Sequence, residues 1–410
     1  MKGSQRGLLE QRVLVLVTLA LVAFGLVMVY SATSAAAALG KGDPVTFLKR
    51  QGIYALAGVA LMLFASRFDH RRLRTLAPPL VLVALGLCAA VLVIAPEVNG
   101  AKRWLDLGPA SFQPSELAKL ALLVWAAVHL ARNGPPRTLG ELWRPIGMLA
   151  TVFSALILLE PDLGTTIALM LMLAGMLVVA GVPGRVLAGA GTLALVAGIA
   201  AIWVEPYRRA RFLSFLDPWG DPENTGFQTV QAIIGIGSGG LTGKGLGEGV
   251  QKINYLPEQQ TDMILAVIGE ELGLIGVTGV IAAFAAFAFA GFTIALRCRD
   301  PFGKLLAAGI TSLVCGQAAV NLAAVLGVAP LTGIPLPFVS YGGSSLVVLL
   351  AATGILLNIA VDERAPQRAK VPDRGRRDRR ARAPVARGGG SASRARRHGD
   401  VRRVAGSRRG

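Results

Sequence analysis

Ten long apolar blocks constrain this chain more than any other feature: Leu14–Ala32, Gly52–Ser66, Pro79–Ile94, Leu117–Ala131, Ile146–Leu159, Thr165–Ala180, Val186–Val204, Ile264–Leu296, Leu305–Val328 and Ser345–Val361. Segments of about 17–25 apolar residues cross the hydrocarbon core of a bilayer as helices, and block ends read this way carry an error of a few residues. Lipid offers the backbone no hydrogen-bond partners, so each crossing must be helical. Charged residues make up 16% of the chain and hydrophobic ones 53%, whereas a soluble domain carries about 25% charged residues. The fold class is therefore all-α integral membrane, with about ten transmembrane helices and a large loop between helices 7 and 8. The eighth block is long enough to tilt, to extend past the bilayer, or to hide a break near Gly273 and Gly276.

The connections set the orientation. With the N-terminus inside, the inner connections read RFDHRRLR, RNGPPRTLGELWR, GVPGR and RCRDPFGK, and all carry Arg or Lys. The longest outer connection also holds Arg208, Arg209, Arg211, Lys244 and Lys252, but the final outer one has no cation. Positive-inside bias thus places both termini in the cytoplasm. From Asp362 onward 17 Lys/Arg face 5 Asp/Glu, about two-thirds of the net charge of +18. Such a segment cannot bury a core; it is expected to be disordered, and to meet anionic lipid instead of nucleic acid because it follows a span directly. The expected organisation is a cytoplasmic N-terminus at 1–13, a membrane domain at 14–361 with its extracytoplasmic loop at 205–262, and a disordered basic cytoplasmic tail at 362–410. The first apolar run lacks an evident cleavage motif and reads as a span, not a signal peptide. Cys88, Cys298 and Cys315 form neither a disulfide framework nor a metal spacing, and His70, His129 and His398 are scattered.

Four segments then fall on the outer face: Asn99–Glu116, the turn Glu160–Thr165, Glu205–Asp262 and Gly327–Ser344. Connections longer than about 15 residues without evident structure are usually functional or disordered. The third includes the apolar stretch Thr229–Ile236, which is expected to pack into the interface. Its Gly235-x-Gly237-x-x-Gly240 lacks the βαβ context of a dinucleotide fingerprint, and Gly243-Lys244-Gly245 lacks the spacing of a phosphate loop. Glycine-rich backbone beside Lys244 could still approach a phosphate closely.

Charged residues at the outer ends of the spans have ordinary and functional readings side by side. Asp262, with Thr261 before it, could cap the eighth span or act as a general base at the bilayer surface; local context alone favours the cap. Helical geometry turns Glu270 nearer than Glu271 to the Asp262 face, so Glu270 is the better cavity residue and Glu271 the better helix-pairing one. Glu116 and Lys119 are spaced for a local ion pair, yet Lys119 lies in an apolar block. Glu160 and Asp162 flank Pro161 at the tight outer turn, placed for capping of the sixth span, and Arg103 suits either interfacial anchoring or an anionic headgroup. A mixed set of cations and acids at one membrane face suits an amphiphile with a phosphorylated head and an apolar tail.

Several segments in order carry a family resemblance: Gly25–Ser31, Asn99-Gly-Ala-Lys-Arg-Trp104, Gln113-Pro-Ser-Glu-Leu-Ala-Lys119, Glu160-Pro-Asp-Leu-Gly-Thr165, Asp217-Pro-Trp219, Gly237–Gly247, Tyr255-Leu-Pro-Glu258, Thr261-Asp262, Gly269-Glu-Glu-Leu-Gly273 and Leu336–Ser345. From about Leu14 to Val361 the chain resembles the SEDS family (shape, elongation, division and sporulation) of bacterial membrane proteins. The resemblance implies a peptidoglycan glycosyltransferase that polymerises lipid II, the undecaprenyl-pyrophosphate-linked disaccharide-pentapeptide, outside the cytoplasmic membrane. Asp262 matches the family's catalytic aspartate. Relatives often place a histidine two residues before it, where this chain has Gln260, so any titrating role for that neighbour falls away. Arg103, Glu116, Lys119, Arg211, Lys244, Glu270 and Ser340 are the expected substrate contacts. The resemblance also implies a class B penicillin-binding transpeptidase and other division proteins as partners, with the division branch fitting better than the elongation branch. A divalent cation (Mg or Mn) could assist, although no dedicated site is legible. The rival readings are a lipid II flippase, which would move lipid without polymer, and a non-catalytic division scaffold.

Overall fold

The computed structural model describes residues 2–38, 43–97, 100–106, 108, 111–251 and 259–362. The expectations placed on the tail beyond 362, and on Lys252 and the 255–258 motif, lie outside these residues. In chain order the elements are α1 (Lys2–Ala38), α2 (Pro44–Arg67), α3 (Leu73–Ile94), a two-residue hairpin of β1 (Leu105–Asp106) and β2 (Ser111–Phe112), α4 (Pro114–Asn133), α5 (Leu139–Leu142), α6 (Met148–Leu159), α7 (Leu163–Ala180), α8 (Gly184–Val204), α9 (Pro206–Leu216), α10 (Phe227–Gly239), α11 (Ile264–Arg297), α12 (Pro301–Val325) and α13 (Gly343–Asp362). Ten helical stretches among the described residues are long and apolar enough to cross a membrane. The fifth of them runs through α5, a π-type segment Trp143–Gly147 and α6.

Local chemistry starts the helices where the sequence supplies it. Pro44, Pro114 and Pro301 occupy first-turn positions, where their missing N–H costs nothing. Asp43, Asp162 and Asp300 cap α2, α7 and α12 by accepting from Val45, Thr165 and Gly303 main-chain N–H groups. Packing then sorts the helices by depth. The apolar window of α12 is 72% buried and that of α8 only 6%, so α12 is a core helix and α8 presents nearly all its side chains to lipid. Both are apolar enough to cross a membrane, so that test does not tell the buried helix from the exposed one.

The long connection before α11 is helical over α9 and α10, and α10 packs on α11 with Gly235 facing Ala266 and Gly239 facing Gly269 and Glu270. The expected break in α11 falls at Gly273, which has φ +64° and ψ −160°. Its freed N–H groups are taken by the glycine-rich segment: Leu274 and Ile275 donate to the carbonyls of Gly240 and Leu241 at 2.9 and 3.2 Å. In return Lys244 and Gly245 donate to the carbonyls of Glu270 and Glu271, each at 3.0 Å. A Cβ at Gly239 would stand 2.0 Å from the Gly269 carbonyl oxygen. The glycines of this segment therefore serve backbone-to-backbone contact with a broken helix.

At the bundle end opposite Asp262, Arg74 grips Asp300 with contacts of 2.6 and 2.7 Å and lies 4.9 Å over the Phe302 ring. His70, buried beside them, joins Asn358 of α13 at 2.9 Å. The scattered histidine of the sequence is thus part of a staple between α3, α12 and α13.

Candidate active site

Long-range contacts bring three of the outer segments, and the end of the fourth, to one end of the bundle. Arg103, after α3, donates its Nε to the Glu160 carbonyl at 2.7 Å and a terminal nitrogen to the Pro161 carbonyl. Gln113, before α4, donates its Nε2 to Asp162 Oδ2 at 3.1 Å and its main-chain N–H to Ser344 Oγ at 3.3 Å. Gly164 of α7 packs against Thr332 and Ile334, and Gly333 approaches Asp262 Oδ2. Tyr341 donates its main-chain N–H to the Gln260 carbonyl at 2.8 Å. The 327–344 loop is thus the floor that joins Asp262 to the α6–α7 turn.

Asp262 lies just ahead of α11, half-buried, with its Oδ1 accepting from Thr261 Oγ1 at 3.2 Å. The capping reading is overturned: the residue at the helix boundary is Met263, and no side-chain bond caps α11 there. The main chain of Asp262 is held by Asn321, a buried α12 residue whose Nδ2 donates to the carbonyls of Asp262 and Ile334, both at 2.8 Å. One amide group therefore fixes the carboxylate-bearing residue and the loop beside it. Sequence alone does not single out Asn321, because it is one of several polar residues in an apolar span, with Thr311, Ser312 and Gln317; intramembrane polar groups are the available signal.

The other acids differ sharply in what satisfies them. Asp162 accepts from Thr165 N–H and Oγ1 and from Gln113, at 2.9, 2.8 and 3.1 Å, so both its carboxyl oxygens have donors. Glu160 is wholly buried, and neither of its carboxyl oxygens has a hydrogen bond. Burial, reinforced by the Asp162 carboxylate and opposed by Arg103, pushes the Glu160 carboxyl up to about 8. The sequence reading passed over Glu160 as part of a capped turn, because burial is not written in a turn motif.

The remaining expected contacts occupy distinct places. Lys119 and Glu116 form a 2.8 Å ion pair, both buried in α4. Lys244 pairs with buried Glu270 at 2.8 Å, and the Val250 and Gln251 N–H groups complete the Glu270 carboxylate at 2.9 and 3.0 Å. Glu271 accepts from Ser31 of α1 at 2.8 and 2.6 Å, a helix-to-helix bond. Ser340 Oγ accepts from the Leu336 N–H at 2.8 Å and so shapes the floor loop. Arg211 stacks 4.8 Å over Tyr207 on α9. Among the described residues no group of three or more His, Cys, Asp or Glu is arranged to hold a metal ion.

Comparison with known proteins places this geometry in context. The family model for cell cycle proteins that covers FtsW, RodA and SpoVE matches residues 11–365. A protein of Geobacter sulfurreducens named "Probable peptidoglycan glycosyltransferase FtsW" is 44% identical over 351 residues, 85% of this chain and 94% of that one. Stage V sporulation protein E of Bacillus subtilis is 39% identical over 354 residues, covering 85% of this chain and 96% of that one. A chain solved in a study of structural coordination of polymerization and crosslinking by a peptidoglycan synthase complex superposes with a TM-score of 0.71 at 36% identity, covering 86% of this chain and 98% of that one. The rod shape determining protein RodA of Thermus thermophilus superposes with a TM-score of 0.63 at 32% identity, covering 85% and 96%.

Proposed function

Because the chain belongs to the FtsW, RodA and SpoVE family of cell cycle proteins, we propose that it is a peptidoglycan glycosyltransferase of cell division, a lipid II polymerase with Asp262 as general base. Relatives 40–44% identical carry that activity in their names. The observation that supports the base is the placement of Asp262: a half-buried carboxylate outside the helix, anchored through its main chain by Asn321 on a floor shared with the α6–α7 turn. In the proposed reaction the 4-hydroxyl oxygen of the acceptor sugar attacks the anomeric carbon of the donor. The new C–O bond forms as the bond to pyrophosphate breaks, the hydroxyl proton passes to Asp262, and undecaprenyl pyrophosphate leaves. A single displacement turns an α-linked donor into a β-linked glycan.

The leaving pyrophosphate needs positive charge. Arg103 is the best placed cation, because its guanidinium is held by the neutral Glu160 and Pro161 carbonyls and not by a carboxylate hydrogen bond. Arg211 on surface helix α9 adds a headgroup-level cation. Lys119–Glu116 and Lys244–Glu270 act as braces, holding α4 and the glycine-rich loop in shape. The site end faces the extracytoplasmic side, since Arg- and Lys-rich connections gather at the other end. The transpeptidase partner is a single-span class B penicillin-binding protein, and the complex works at the septum.

The test uses purified protein, alone and with its transpeptidase, given lipid II and scored for polymer on gels. Polymer above background supports the assignment; lipid movement across liposomes without polymer in any combination would return the flippase. In the same assay Asn321→Leu is expected to lower turnover about 10-fold to 100-fold, since a misplacement near 1 Å can cost that much. It should also lower the thermal midpoint, because two buried carbonyls lose their donor. Normal turnover in Asn321→Leu would remove the anchor from the mechanism.

A further inference from the structure

Glu160 carries no role in the mechanism so far, yet its setting is unusual for a carboxylic acid. It is wholly enclosed at the end of α6, and both carboxyl oxygens lack a donor. The groups around it come from three other elements: Arg103 from the connection after α3, Asp162 from the start of α7, and the Cys88 thiol from α3. Arg103 turns away from the carboxyl and donates instead to the Glu160 and Pro161 carbonyls. Asp162 is already bonded through both carboxyl oxygens. The charge balance of this corner therefore depends on one proton. With Glu160 neutral, the Asp162 carboxylate and the Arg103 guanidinium cancel. With Glu160 ionised, the corner carries a net negative charge and repels an anion.

We propose that Glu160 is a positioning residue which must stay protonated for Arg103 to hold the pyrophosphate of the lipid-linked donor. The proposal rests on the glycosyltransferase reading above. It makes the proton on Glu160 and the bound pyrophosphate mutually supportive: the anion favours the neutral acid, and the neutral acid favours the anion. Burial and the Asp162 charge set the resting state, and the value of about 8 places the transition just above neutrality. Glutamine at 160 keeps the shape and the neutral charge but cannot ionise.

The deciding experiment measures KM and kcat for lipid II between about pH 6 and 9, in wild type and Glu160→Gln. Wild-type KM is expected to rise about tenfold as pH passes 8, the effect of one added charge near the pyrophosphate. Glu160→Gln should keep a low KM throughout, while the kcat profile, governed by Asp262, stays shared. Superimposable KM profiles, or a difference confined to kcat, would overturn the proposal. A second readout needs no turnover. A carboxyl whose value is raised by folding adds stability below its unfolded value near 4.5, and that contribution is lost as pH rises through about 8. The wild-type thermal midpoint should fall across that window and that of Glu160→Gln should not. If wild type makes no polymer at any pH, the glycosyltransferase reading fails; the melting profiles still report whether Glu160 is neutral. Should Glu160→Gln not fold, Glu160→Met replaces it with a neutral side chain of similar length.

Discussion

Asp262→Asn is expected to lower lipid II polymerisation by about 10²–10⁴-fold, the usual worth of one positioned proton acceptor. The amide keeps the size of the carboxylate and can still accept from Thr261 Oγ1, which lies 3.2 Å from Oδ1. It leaves the main-chain anchor from Asn321 untouched. Folding should therefore survive, and the thermal midpoint should stay near wild type. The loss should appear in kcat, with KM for lipid II little changed, because a base acts in the transition state and not in ground-state binding. Full activity in Asp262→Asn would dismiss Asp262 as the base. A large drop in melting temperature together with lost activity would instead make it a structural residue.

The second large effect is expected at Lys119. Its ammonium and the Glu116 carboxylate are enclosed together in the packed core of α4, 2.8 Å apart. Lys119→Met leaves a carboxylate in an apolar interior with no counter-charge, a change that costs about 3–5 kcal/mol in buried pairs. Converting Glu116 to Gln as well removes the stranded charge, so the double variant should recover much of the lost stability. Thermal melting of the two variants beside wild type measures this directly. Equal midpoints for Lys119→Met and wild type would show that the pair holds nothing together. A double variant that folds but makes no polymer would move Lys119 from brace to substrate contact.

The two residues also show where sequence reading succeeds and stops. The i,i+3 spacing of Glu116 and Lys119 gave the pair, because neighbours on one helix face are fixed by helical geometry. Their depth was not legible, since it depends on how α4 is surrounded by α3, α7 and α12. A local motif places a cap in the turn of Glu160 and Asp162, and the structure gives it to Asp162, while the burial of Glu160 in the same turn is not legible. A cap is a contact within three residues; the isolation of Glu160 is made by packed neighbours far away in the chain. Lys244 was read as a phosphate ligand and Glu270 as a cavity wall, but the structure pairs them across 26 positions. The break at Gly273 was foreseen as one of two positions, and only the partner backbone at 240–241 selects it.

By itself the sequence determined the all-helical membrane class, the ten crossings and the segments that gather at one end. These follow from transfer of apolar side chains into lipid, from backbone hydrogen bonding that lipid cannot supply, and from motifs a few residues long. The tertiary structure decided that Asp262 stands outside the helix, ahead of the boundary residue Met263, that Asn321 reaches 59 positions back to hold it, and that Arg103 binds the turn beside a carboxyl whose oxygens have no hydrogen bond. Such facts are set by which helices pack together. In a chain whose spans are all similarly apolar, hydropathy marks every crossing and distinguishes none of their neighbours.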